Sequence, residues 1–108
     1  MITVTITKSN KIIESIEVKG HANSGTYGND LVCAAISAII TGGANALSDE
    51  TNRLAFDIIL KEGYALIEHK KEMPYKEEDI VKLDTIVTML KTVEESNRRF
   101  IKIVEKEK

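Results

Sequence analysis

Apolar and polar residues alternate from the start of the chain. Ile2, Val4 and Ile6 fall on one side of a two-residue period and Thr3, Thr5 and Thr7 on the other, which predicts a half-buried strand over 2–7. Ser9, Asn10 and Lys11 predict a turn. A second run over 12–18 keeps Ile12, Ile16 and Val18 in phase with Glu14 interrupting, so the pair reads as a hairpin that ends at Gly20. The period then changes. Residues 31–46 are small, apolar and uncharged, and predict a helix with Asp30 as its N-cap and Gly42 and Gly43 weakening its last turns. Two β-like runs, 54–60 and 64–69, are joined by Lys61, Glu62 and Gly63 and predict a second hairpin, with a helix over 55–60 as the alternative. Pro74 breaks the chain. A second helix follows, with Glu77, Glu78 and Asp79 in its first turn, where negative charge suits the helix dipole. Ile80, Leu83, Val87 and Leu90 give it one apolar face. Residues 100–105 predict a last short strand. The order ββαββαβ predicts an α+β fold: one domain over 1–108, with two helices packed on a mixed or antiparallel sheet.

Composition narrows the function classes. A chain of 108 residues, 43% hydrophobic and 30% charged, is long enough for one two-layer core and too short for two. Its 15 basic and 17 acidic residues leave a net charge of -2, without the basic footprint of a nucleic-acid binder. The uncharged stretch 31–47 is shorter than the roughly 20 residues that span a bilayer, so no membrane partner is expected. The first residues alternate and show no basic region followed by an apolar run, unlike a signal peptide. A single cysteine forms no internal disulfide, which suits a reducing, cytoplasmic setting.

The candidate chemistry lies between residues 20 and 37. That stretch holds the only cysteine, Cys33, one of two histidines, His21, and Asp30, around a glycine-punctuated segment with Gly25 and Gly28. A cysteine beside a histidine is the pairing that makes a thiolate nucleophile. With Asp30 as N-cap, Cys33 is the third helical residue, near the positive end of the dipole. The dipole contributes only about 0.3–1 kcal/mol at an exposed site, so a protonated His21 would have to supply most of the stabilisation of the thiolate. Twelve residues separate the two, enough for the chain to return. Asp30 has a second possible role in orienting the imidazole, and Ser37, four residues after Cys33, shares its helical face. The bland alternative is a buried structural thiol. A phosphate cradle is disfavoured by Asp30 ahead of the helix and by the missing lysine, and a zinc site by irregular ligand spacing, so neither cofactor nor metal is expected.

Gly20-His21-Ala22, then Gly25, Tyr27-Gly28, Asp30-Leu31-Val32-Cys33-Ala34-Ala35 and Ser37 resemble the ribosomal-processing cysteine proteases of bacteria, the Prp or YsxB-like family. The close match covers residues 20–37; the remainder matches in length and element order. The resemblance implies a small cytoplasmic, homodimeric thiol protease that removes a short N-terminal extension from large-subunit ribosomal protein twenty-seven during ribosome assembly. It implies Cys33 as nucleophile and His21 as general base and acid. Asp30 and Ser37 would support them, and Gly20, Gly25, Tyr27 and Gly28 would shape the substrate cleft. The alternatives are a non-catalytic ribosome-assembly binding module and a thiol redox sensor.

Overall fold

The opening alternation becomes β1 (Ile2–Ser9), which turns into β2 (Ile12–Lys19) through Asn10 and Lys11, both at positive φ (52° and 68°). Two consecutive positive-φ residues make the mirror-image turn whose twist matches a hairpin. The structure is a computed structural model and describes residues 1–20, 27–48 and 55–108, with residues 27–30 as backbone only. Along the chain follow α1 (Tyr27–Leu47), β3 (Phe56–Lys61), β4 (Tyr64–His69), α2 (Glu77–Ser96) and β5 (Ile101–Glu107), so the order is ββαββαβ as the pattern predicts.

The five strands form one sheet in the order β3-β4-β2-β1-β5. β1–β2, β2–β4 and β3–β4 are antiparallel, and β5 runs parallel to β1, which makes the sheet mixed. The break at Glu14 has a structural counterpart. Register passes from Thr7↔Ser15 to Lys8↔Ile13, so Glu14 is the extra residue of a bulge. Its carboxylate takes the Lys108 ammonium at 3.1 Å.

Both helices cover one face of the sheet. Its rows of Ile2, Val4, Ile6, Ile16, Val18, Ile67 and Ile101 are buried against Val32, Ile36, Ile40, Ala44 and Leu47 of α1 and Leu83, Ile86, Val87 and Leu90 of α2. On α2 the buried stripe is Leu83, Ile86, Val87 and Leu90, whereas Ile80, expected on that face, is only half-buried. Gly43 lets the helices approach: a Cβ built there would lie 2.6 Å from Ile86 Cδ1. The ammonium of Lys82, on α2, donates to the Ala46 carbonyl at 2.8 Å and so satisfies an acceptor in the last turn of α1, which has no basic residue of its own.

One expectation is corrected. The helix does not begin after an Asp30 N-cap; it begins at Tyr27, and Asp30 is its fourth residue. A cap at Asp30 would satisfy one of the first backbone donors with a carboxylate. Continuing the helix back to Tyr27 supplies chain carbonyls to the amides of Leu31, Val32, Cys33 and Ala34, and moves the unpaired donors to residues 27–30. Tyr27 and Gly28 therefore belong to the helix rather than to a loop. The second hairpin's first strand is described from Phe56; residue 54, where the pattern starts it, lies outside the described residues.

Candidate active site

Cys33 stands in the second turn of α1, one residue round from the buried stripe Val32, Ile36, Ile40. A step of one residue turns the helix by about 100°, so the stripe Cys33, Ser37, Thr41 runs along the border between core and solvent. Cys33 is accordingly half-buried, while Ser37 and Thr41 are exposed. This is not the setting of a sealed structural thiol. Because Cys33 lies inside the helical hydrogen-bond ladder, its amide is committed to the turn before it. The helix-start amides, which suit a developing oxyanion, are those of residues 27–30 instead.

The stripe forms one wall of a groove of about 490 Å3. Its floor is the sheet, through Ile2, Val18 and Ala65, and its far side is the end of the second hairpin, through Leu60, Lys61, Glu62, Gly63 and Tyr64. Gly20 also lines it. It holds φ at +106°, a conformation that favours glycine, and a Cβ built on it would fall 2.5 Å from the Met1 carbonyl oxygen. Its N–H donates to the Gly63 carbonyl at 3.1 Å, which ties the end of β2 to the hairpin turn.

The structure brings together Cys33, Ser37 and Gly20 of the sequence-predicted set around one groove. Tyr27, Gly28 and Asp30 lie in the first turn of α1, ahead of Cys33. His21 and Gly25 lie outside the described residues. The second histidine, His69, is elsewhere. It is buried against Phe56 in an edge contact (5.1 Å between ring centroids) and stacks on Tyr75 at 3.7 Å, away from the groove that Cys33 lines. Among the described residues no group of three or more His, Cys, Asp or Glu is arranged to hold a metal, and no helix is long and apolar enough to cross a membrane. The hairpin side of the groove went unmarked in the sequence. Its signal was the small Ala65 within an otherwise bulky alternating run.

Comparison with known proteins places this arrangement among relatives. Residues 1–102 match the family model described as cysteine protease Prp. Over 104 residues the chain is 31% identical to the ribosomal processing cysteine protease Prp of Staphylococcus aureus, covering 95% of this chain and 97% of that one. The crystal structure of the S. aureus ribosomal processing protease Prp with a substrate peptide superposes with a TM-score of 0.84 at 30% identity, over 98% of this chain and 100% of that one. The same protease with a covalently linked product peptide gives 0.80 at 31% identity, again over 98% and 100%.

Proposed function

The chain belongs to the Prp family of cysteine proteases, and we propose that it cleaves its substrate with Cys33 as nucleophile and His21 as general base and acid. The observation that carries the assignment is the position of the only cysteine: half-exposed, on a helix face that borders an open groove wide enough for a peptide. In this reading the Cys33 thiolate attacks the scissile carbonyl carbon and forms a tetrahedral oxyanion. His21, protonated by the thiol, returns its proton to the departing amine as the C–N bond breaks. Water then attacks the thioester with His21 as base, releasing the acid and regenerating the thiol. Ser37 donates toward the sulfur from one turn further along α1. Asp30 steadies His21, and Gly20, Gly25, Tyr27 and Gly28 shape the cleft. No cofactor or metal enters any step.

The substrate, by analogy with the relatives' ribosomal processing role, is the N-terminal extension of large-subunit ribosomal protein twenty-seven, removed in the cytoplasm during ribosome assembly. The whole of residues 1–108 acts as one Prp-like domain. The protein works as a homodimer, a reading supported by the uncharged exposed face of α1 (Leu31, Ala34, Ala38, Gly42 and Asn45). Incubation with a peptide spanning the extension and its junction, followed by mass spectrometry, tests the activity. One new cut at the junction is expected. No cut, with reversible oxidation of Cys33 instead, would favour a redox sensor. Sedimentation at micromolar concentration tests the dimer.

A further inference from the structure

Among the described residues two buried side-chain atoms have no hydrogen-bond partner, Glu14 Oε2 and His69 Nε2. Both residues line one polar cavity of about 350 Å3. It lies at the Glu68–His69 end of β4, whereas the groove of Cys33 lies at the Tyr64–Ala65 end, and the two share no lining residue. A buried polar atom left unpaired is costly, and two of them facing one space point to an occupant that pairs with both.

The two groups are held in place by their surroundings. The His69 ring, 4% exposed, is fixed by the stack on Tyr75 and the edge contact with Phe56. The Tyr75 hydroxyl donates to the carbonyl of Ile13, the neighbour of Glu14, at 3.3 Å. Burial, and after it the Glu14 charge, raises the Tyr75 pKa above its ordinary 10.0. Glu14 itself is the extra residue of the bulge, a device that re-aims a side chain.

The chemistry of the pair selects the occupant. A carboxylate oxygen only accepts, and a neutral imidazole with its proton on Nδ1 accepts through Nε2, so the occupant is a donor. Asp57, Glu68 and Glu72 add carboxylates around the cavity, partly offset by Lys70 and Lys71. An anion would meet the free Glu14 oxygen, and no three groups are arranged for a metal among the described residues. A water's share of liquid volume is about 30 Å3, a small fraction of this space. The other Glu14 oxygen already holds a cation, the Lys108 ammonium at 3.1 Å; the Lys108 side chain is 54% exposed, against 14% for Glu14. A guanidinium presents several N–H groups in one rigid fork and gives up its hydration more readily than an ammonium, so it can donate to both free atoms at once.

We infer that this cavity is a guanidinium-binding site, in which Glu14 Oε2 and His69 Nε2 accept from one fork while the Lys108 ammonium competes for the same carboxylate. The guanidinium comes either from an arginine of a protein chain or from a free guanidino compound. The site is separate from the Cys33 groove and stands independently of the protease reading.

The test follows the imidazole nitrogens of His69 by NMR, with His21→Ala used only to assign which of the two histidines gives each signal. The probes are ethylguanidinium chloride and the peptide acetyl-Gly-Arg-Gly-amide. The same peptide with citrulline for arginine, and inorganic phosphate, serve as controls. The wild type should show a saturable shift at His69 Nε2 with a Kd at or below about 1 mM for at least one guanidinium probe, and none with citrulline or phosphate. Tighter binding of the peptide assigns the site to an arginine of a protein chain, and equal binding to a free guanidino compound; either supports the site.

Two variants, each confirmed folded by circular dichroism, should act in opposite directions. Glu14→Gln should weaken binding at least about tenfold, the loss that follows removal of one hydrogen bond to a charged group. Lys108→Gln should tighten it, by up to about fivefold, because it removes a competing, partly exposed ion pair. The second variant changes an exposed side chain and so reads the site even if Glu14→Gln fails to fold. No shift with either guanidinium probe overturns the proposal. So does an equal response to citrulline or phosphate, a shift unchanged in folded Glu14→Gln, or weaker binding by Lys108→Gln.

Discussion

Gly20 donates its backbone N–H to the carbonyl of Gly63, 3.1 Å away, and both glycines hold positive φ, at 106° and 76°. The bond joins two segments that are far apart in sequence and that both line the groove of Cys33. One of them is the residue immediately before His21.

Gly20→Ala should therefore damage two properties together. The new Cβ meets the Met1 carbonyl oxygen, and alanine resists the backbone angle. Strain of this kind costs about 1–3 kcal/mol. Urea denaturation should show that loss, and kcat/KM should fall by more than the residual folded fraction explains. A variant as stable and active as the wild type would show that the turn tolerates a side chain.

Cys33→Ala should abolish cleavage while altering stability by no more than about 1 kcal/mol, since it removes one atom from a half-buried position. Mass spectrometry of the peptide digest and thermal melts check the two halves of the statement. For His21→Ala, alkylation of Cys33 by iodoacetamide should slow near neutral pH; identical rates across pH 5 to 8 would remove His21 from the reaction.

Gly42 and Gly43 are neighbours on α1 with opposite expected responses to alanine. Nothing lies within 4 Å of a Cβ at Gly42, so Gly42→Ala should stabilise by about 0.5–1 kcal/mol through helix propensity. At Gly43 the same methyl meets Ile86 Cδ1 at 2.6 Å and Cγ1 at 2.8 Å in a packed interface, and overpacking should cost about 1–3 kcal/mol. Chemical denaturation of the two single variants gives the signs directly.

The pH dependence includes one contribution with a clear direction. Hydrogen bonds from Lys8 and Lys91 to Glu105 hold its carboxyl below its ordinary value of 4.5, despite some desolvation in the opposite sense. A carboxylate with a lowered folded-state pKa stabilises above the unfolded value, and that stabilisation fades as pH falls through the folded one. Glu105 is 42% exposed, so the contribution is under about 1 kcal/mol. Glu105→Gln should lower the urea midpoint slightly at pH 7, and the difference should close below the carboxylate range. A gap persisting at pH 2.5 would point to packing instead of charge.

The short-range features of the fold were legible in the sequence. Alternation gave β1 and β2, the interruption at Glu14 became a bulge, and the three-and-four spacing gave α2. The start of α1 was not legible. Asn29, Gly28 and Asp30 are all residues that commonly end or cap helices, and only the continuing backbone ladder decides that they are inside one. Strand order was also out of reach, because the parallel pairing of β5 with β1 depends on tertiary packing rather than local pattern. At the site, the residue types around Cys33 were informative. That the β3–β4 hairpin forms the far side of the groove emerged only once β4 was seen to pair with both β2 and β3.

The parallel pairing of β1 with β5 also sets a timetable for synthesis. β2 is made at once and covers one flank of β1, but the strand that covers the other flank is translated nearly a hundred residues later. At about 5–20 residues per second the first strand waits several seconds with a row of unsatisfied peptide groups turned outward. During that interval the nascent chain is open to pairing with other chains, and a chaperone that shields this flank should raise the yield of enzyme more than one acting on the finished fold.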